Sequence, residues 1–327
     1  MQSQARITAI GSYVPQRVLT NAHLEKLVDT SDEWIMTRTG IAERRIAGDN
    51  EFTSDLIRHA VEDMVERYDV DLQDVDYIIV ATSTPDTIFP SMAAGVQAQF
   101  GIPSCGAVDI QAACAGFAAG LQLANGLLLS GSHKKIVVIG ADALSKITDY
   151  SDRTTCILFG DGAGAVLLET ISDEKGDLMA AYSQTDGKGG NHLYLNNIGT
   201  SILGQEVNGS DYLVQNGKEV FRWALSEVSE GVRKLLLRGG LDPEHIDWFL
   251  PHSANRRIID AICERTGISQ EQVLTTIRTN GNTSAASIPL SLHEGVKDHR
   301  VAAGQTLLLY GFGGGLTQAG VILRWSL

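Results

Sequence analysis

Residues 109–131, DIQAACAGFAAGLQLANGLLLSG, read as a short strand, a turn at Cys114 and a helix rich in small residues. Residues 276–300, TIRTNGNTSAASIPLSLHEGVKDHR, have the same shape, with Asn282 near the corresponding turn between a strand and a helix. A pattern recurring at about half the chain length predicts two duplicated units rather than a solenoid.

The match extends on both sides. Leu56, Ala60, Met64 and Val65 form a helical stripe ahead of the apolar run DVDYIIVATST (74–84). Val220, Trp223, Ala224, Val228 and Val232 form another ahead of HIDWFLPHSA (245–254). Asp76-Tyr77 thereby aligns with Asp247-Trp248; Cys114 lies 38 residues beyond Asp76, and Asn282 lies 35 beyond Asp247. Downstream, KKIVVIGADALS (134–145) and FGDGAGAVLLE (159–169) match QTLLLYGFGGG (305–315) and LTQAGVILRW (316–325). Continuous Val/Ile/Leu runs predict strands buried on both faces, and their succession with helices predicts an α/β layered architecture. The first unit is expected over 1–171 and the second over 172–327, joined at the polar stretch SDEKGDL (172–178). Residues 183–217 lack periodicity and hold many Gly and Asn, which fits either a site wall or a surface insertion.

At 327 residues the chain is long enough for one large core or two fused domains. A net charge of -13 argues against a nucleic-acid partner, which selects a basic footprint. Cys105, Cys114, Cys156 and Cys263 include no C-x-x-C and no zinc or disulfide spacing. Met1 to Ala9 contains no long apolar run, and no run of about twenty apolar residues occurs anywhere. The expectation is a cytoplasmic protein with reduced thiols, no signal peptide and no membrane span.

Cys114 stands where a helix begins, and helix N-termini favour a thiolate. Such a thiolate can attack a thioester and hold the acyl group, and Ala112, Ala113, Ala115 and Gly116 leave room for it. A free cysteine is also a common small core residue, the expectation for Cys105, Cys156 and Cys263. His252 ends an apolar strand closed by Pro251, and ligands gather beyond the carboxyl ends of such strands. Asn282 follows Gly281, a turn context in which an asparagine is often only a cap. The repeat puts both at the site end of the second unit. The Gly311 to Gly315 run fits an oxyanion-binding backbone or a close packing turn; the glycines of 159–165 fit packing, and neither run is a dinucleotide fingerprint.

TSDEWIMTRTGIAERR (30–45), DIQAACAGF (109–117), SDRTTCILFGDGAGAV (151–166), DWFLPHSANRRII (247–259), GNTSAASIP (281–289) and GFGGGLT (311–317) occur in order over nearly the whole chain. Together they make it resemble the β-ketoacyl-acyl carrier protein synthase III family, the initiating condensing enzymes of type II fatty-acid synthesis. The resemblance implies a thiolase-like αβαβα fold of two duplicated halves, working as a homodimer. It implies Cys114, His252 and Asn282 as the catalytic triad, with the backbone N–H groups of Cys114 and Gly314 as the oxyanion site. Trp34, Arg38, Arg153, Phe221 and Asn255 would line the coenzyme A entrance, Arg257 and Arg222 would meet the carrier protein, and Phe89 would reach the partner's acyl pocket. Acyl-CoA and malonyl-acyl carrier protein are the implied substrates, with no metal or redox cofactor. Ser253 and Thr154 depart from residues common in the family, Gln and Gly, and are expected near the entrance.

Two other classes bear weighing. A related synthase of secondary metabolism would share the fold and triad. Cys114, His252 and Asn282 also follow the chain order of papain-like hydrolases, but the duplication and the missing C-G-x-C-W signature argue against that class.

Overall fold

The computed structural model describes residues 3–171, 175–196, 198–207 and 211–327. The junction expected at 171/172 adjoins residues 172–174, which lie outside the described residues. Before it come strand β1 (Ala5–Tyr13), helices α1 (Asp32–Thr39) and α2 (Thr53–Tyr68), β2 (Tyr77–Ala81), α3 (Met92–Gln99), β3 (Gly106–Ile110), α4 (Gly116–Leu129), β4 (Lys135–Ala143) and β5 (Asp161–Thr170). After it come β6 (Leu178–Thr185), α5 (Gly217–Trp223), α6 (Ser229–Gly239), β7 (Trp248–Pro251), α7 (Arg256–Thr266), α8 (Ser287–Lys297), β8 (Thr306–Gly313) and β9 (Thr317–Arg324).

The strands form two sheets of one topology. The first runs β1-β5-β4-β2-β3 and the second β6-β9-β8-β7. In each, the first two pairings are antiparallel and the next is parallel. The start of the parallel pair is set alike in both. Asp76 accepts backbone N–H groups of Lys134 and Lys135 at 2.6 and 3.3 Å, and Asp247 accepts that of Thr306 at 2.7 Å. A carboxylate paired to amides at the strand entrance fixes register, because a slip of one residue would turn every buried side chain outward.

Helices α4 and α8 lie between the sheets and touch both. Phe117, Leu121, Ala124 and Leu128 of α4 and Ile288 and Leu292 of α8 share a core with Ile136, Val138, Leu307 and Leu309. The alternate residues Val137 and Ile139 face outward onto the Leu56, Ala60 and Met64 stripe of α2. Leu308 and Ile322 face outward onto Val228, Val232 and Leu235. Both sheets are therefore apolar on both faces, which is why their strands read as unbroken aliphatic runs. The result is five layers: helices, sheet, helices, sheet, helices.

Two expectations need correction. Residues 276–282 contain no strand: Ile277–Asn280 is one helical turn, and Asn282 makes a single bridge to Phe159. The counterpart of β3 shrinks to Val273, which bridges Phe249 in parallel. Residues 183–217 are not a structureless loop. Ser183–Thr185 complete β6, a 3₁₀ helix spans Gly187–His192, and Leu193–Tyr194 pairs with Val214–Gln215.

Candidate active site

Cys114 sits in the 3₁₀ turn Ala113–Ala115 that leads straight into α4. Ala113 has φ 45°, a left-handed conformation costly for a residue with a Cβ, so the surroundings hold the turn sharp. Close packing does so: a Cβ on Gly311 would come within 2.7 Å of the Cys114 carbonyl oxygen, and one on Gly313 within 3.0 Å of its Sγ. Gly314 is adjacent, its Cβ position 3.3 Å from that of Ala113. Of the two readings of the 311–315 run, close packing holds for Gly311 and Gly313, which lie against the Cys114 turn itself.

His252 and Asn282 come from the other half. His252 follows β7, its backbone N–H donating to the Tyr310 carbonyl at 2.7 Å. Its Nδ1 lies 2.8 Å from Oγ of Ser287, which also accepts the Ser253 N–H at 3.3 Å. With one donor already supplied, that hydroxyl can donate to Nδ1, the arrangement that leaves the proton on Nε2. The ring packs edge-on against Phe312 at 5.3 Å, and burial pulls its pKa down to about 3. His252 is therefore a neutral N–H donor across the physiological range. Asn282 is oriented by its Oδ1, which accepts the Ser284 N–H at 2.9 Å, leaving the amide NH₂ as donor. Its backbone is stitched to 158–160 by bonds of 2.9 Å in both directions. The buried Arg44 guanidinium braces that loop, donating to the Ile157 carbonyl and the Asn21 carboxamide.

Cys114, His252 and Asn282 line one cavity of about 1450 Å³. Trp34, Arg38, Phe89, Phe221, Asn255, Arg257 and Gly314 also line it. Arg153 stands off the wall but places its guanidinium 5.0 Å from the Trp34 ring, on which Arg38 also rests. Arg257 lies over Phe221 at 5.7 Å. Asn255 caps α7 through Oδ1, 2.9 Å from the Arg257 N–H. Arg222 is not on the wall and is held by Glu219 at 2.8 Å. Thr154 is on the wall, whereas Ser253 lies behind it, fully buried between the wall residues His252 and Ala254 and bonded to Thr275.

Two influences oppose each other at the sulfur: the helix start favours a thiolate, while burial pushes the Cys114 thiol up to about 12, with the Ser284 side chain pulling down and the Asp142 carboxylate pushing up. The sequence reading missed Ser284, Ser287 and Asp142. A lone carboxylate inside the apolar strand KIVVIGADA was the available signal for the last, since Asp is almost never fully buried without partners. Cys156 and Cys263 are buried as expected; Cys105 is half-buried.

A duplicated layered fold with a cysteine and two N–H donors in one cavity defines a condensing acyltransferase of the thiolase-fold class. The family model for "3-Oxoacyl-[acyl-carrier-protein (ACP)] synthase III" matches residues 108–187, and its C-terminal companion matches 236–325. The chain is 53% identical to β-ketoacyl-[acyl-carrier-protein] synthase III 2 of Halalkalibacterium halodurans, covering 99% of this chain and 97% of that one. It is 51% identical to the protein of the same name from Bacillus subtilis, covering 99% and 100%. A crystallised β-ketoacyl-[acyl carrier protein] synthase III from Thermus thermophilus superposes with a TM-score of 0.94 at 44% identity, over 98% of this chain and 99% of that one. The chain belongs to the β-ketoacyl-acyl carrier protein synthase III family.

Proposed function

We propose that Cys114 carries the primer acyl group in a decarboxylative condensation of acyl-CoA with malonyl-acyl carrier protein, the step that initiates fatty-acid synthesis. The observation that carries the assignment is the meeting of Cys114 with His252 and Asn282, from opposite halves, on one cavity. Sγ attacks the acyl-CoA thioester, and backbone N–H groups of Cys114 and Gly314 hold the oxyanion as CoA departs. The malonyl thioester then enters. His252 Nε2–H and the Asn282 NH₂ donate to its carbonyl oxygen and stabilise the enolate formed as CO₂ leaves. The enolate carbon attacks the acyl-cysteine and releases 3-oxoacyl-carrier protein. Decarboxylation drives the step, and acyl-CoA is a substrate rather than a bound cofactor.

Trp34 between Arg38 and Arg153, with Phe221 and Asn255, forms an aromatic and cationic mouth suited to the adenine and phosphates of CoA. Arg257, and Arg222 once free of Glu219, meet the acidic carrier protein. Residues 1–171 and 172–327 form the two halves, two copies of the chain form the working dimer, and the cytoplasm is the working compartment. No helix among the described residues is long and apolar enough to cross a membrane.

The test is turnover of acyl-CoA and carboxyl-labelled malonyl-carrier protein by wild type and His252→Ala. The variant is expected to form acyl-enzyme yet lose labelled CO₂ release by about 10²- to 10³-fold, the usual loss on removing one such donor. Unchanged release would contradict the role given to His252.

A further inference from the structure

The turn that carries Cys114 exists twice. Ala112 and Thr283 share backbone angles (φ -129°, ψ 25° and φ -102°, ψ 24°), as do Ala115 and Ala286 (φ -82°, ψ -7° and φ -75°, ψ -18°). Ala113 and Ser284 are both left-handed, at φ 45° and 49°. Cys114 thus corresponds to Ala285. The strands behind the turns correspond as well: a Cβ on Gly311 of β8 would strike the Cys114 carbonyl oxygen, and one on Gly140 of β4 would strike that of Ala285. Two and three residues beyond those glycines, Gly313 corresponds to Asp142 and Gly314 to Ala143.

The backbone donors given to the oxyanion, the N–H groups of Cys114 and Gly314, therefore have counterparts at the second turn, and both counterparts are occupied. Ala285 N–H donates to Asp142 Oδ2 at 3.2 Å, and Ala143 N–H donates to Thr84 Oγ1 at 2.8 Å. The Thr84 hydroxyl in turn donates to Asp142 Oδ1 at 3.1 Å. Asp142 is fully buried and also accepts the Ser83 N–H at 2.6 Å and the Thr82 hydroxyl at 3.2 Å. At the first turn the same place stays open, because Gly313 has no side chain to fill it and a Cβ there would stand 3.0 Å from Cys114 Sγ.

The filled turn carries no nucleophile, yet it keeps its costly left-handed residue, so bonds must hold it. Two consecutive N–H groups supply them. That of Ser284 donates to Asn282 Oδ1 at 2.9 Å, and that of Ala285 donates to Asp142. The first bond aligns the Asn282 carboxamide on the turn, and the second fixes the turn to β4.

We propose that the second turn is a duplicate oxyanion site filled permanently by the Asp142 carboxylate, and that this clamp positions the Asn282 NH₂ for decarboxylation of the malonyl thioester. Asp142 is a positioning residue that acts through Asn282. The Cys114 turn depends on it less, because Gly311 and Gly313 pack against that turn directly. The proposal rests on the roles given above to Cys114 and Asn282.

Two variants test it. Asp142→Asn keeps the shape but turns an NH₂ toward donors, and Asp142→Gly copies Gly313 and empties the site. The half-reactions are measured separately: single-turnover acylation by acetyl-CoA, and labelled CO₂ release from malonyl-carrier protein by the acylated enzyme. Both variants are expected to acylate near the wild-type rate and to release CO₂ about 10²-fold more slowly, the usual cost of a group displaced by about 1 Å. Sodium formate, with sodium chloride as control, should recover about tenfold of that loss in Asp142→Gly, the worth of one hydrogen bond to a charged acceptor. In an Asn282→Ala background, Asp142→Asn should cost nothing further in CO₂ release, because both changes remove the same donor. A merely structural role would slow both half-reactions alike, add to the loss in Asn282→Ala and ignore formate. Any of those results, or unchanged CO₂ release in Asp142→Asn, would overturn the proposal. If Asp142→Gly does not fold, Asp142→Asn and its double variant decide. Asn282→Ala releasing CO₂ at the wild-type rate would remove the role of Asn282 itself and this proposal with it, a failure distinct from that of the clamp.

Discussion

At the scale of single residues, the site works by burying polar groups with their partners. His252 stays neutral in the folded protein with a pKa near 3, against an ordinary value of 6.5 in the unfolded chain. The unfolded chain therefore binds a proton that the native state refuses as pH falls below 6.5, and the stability due to neutral His252 is lost between 6.5 and about 3. His252→Asn lacks this dependence. In denaturant titrations the stability difference, wild type minus variant, is expected to fall by about 1.4 kcal/mol per pH unit below pH ~6. A difference independent of pH would show that the imidazole titrates normally. Asp161, raised to about 6 by burial against hydrogen bonds from Ala47 and Ser145, acts in the opposite sense and cancels in the comparison. That Cys114, His252 and Asn282 share one cavity was legible, because the first two lie beyond apolar runs and all three fall in turns that the two units repeat. The upward push of burial on the Cys114 thiol was not, because helix position is a local property and burial a tertiary one.

At the scale of elements, two glycines let the central helices reach the sheets. A Cβ on Gly140 would come within 2.3 Å of the Ala285 carbonyl oxygen, and one on Gly311 within 2.7 Å of that of Cys114. Backbone cannot yield as a side-chain tip can, so Gly140→Ala and Gly311→Ala should each lose about 1–3 kcal/mol of stability in urea unfolding. Gly126 is the control: it lies within α4, and nothing stands within 4 Å of its Cβ position. Gly126→Ala should gain about 0.5–1 kcal/mol. Equal effects at all three positions would dismiss the close-approach argument. The helices of the core and the long strands were readable because both sheets are buried on both faces and the helix stripes recur at 3.6 residues. The strand expected before Asn282 was misread because β-branched TTIRT has the composition of a strand, while the fold needs only Val273 to pair there.

At the scale of the whole molecule, the two sheets meet across α4 and α8, and the site forms where the first half's cysteine turn faces the second half's strand ends. The lone carboxylate in its apolar strand marked Asp142 as unusual but not what it touches: it accepts from a turn 143 residues away, and no local pattern records that contact. The open side of β3 adds a second prediction at this scale. Among the described residues it pairs only with β2, and Val108 on it, with Ile88 and Phe89 also on the cavity wall, remains exposed. A bare strand edge beside apolar side chains suits pairing with a second copy. Sedimentation should give twice the chain mass, and Val108→Lys should shift it toward one; a monomeric wild type would contradict the dimer. The claim beneath all of these is that Cys114 carries the acyl group. Peptide-resolved mass spectrometry after incubation with a short acyl-CoA measures it directly: a single adduct on the peptide containing Cys114, absent in Cys114→Ser, is predicted. An adduct on Cys105, Cys156 or Cys263, or one that survives Cys114→Ser, would contradict it.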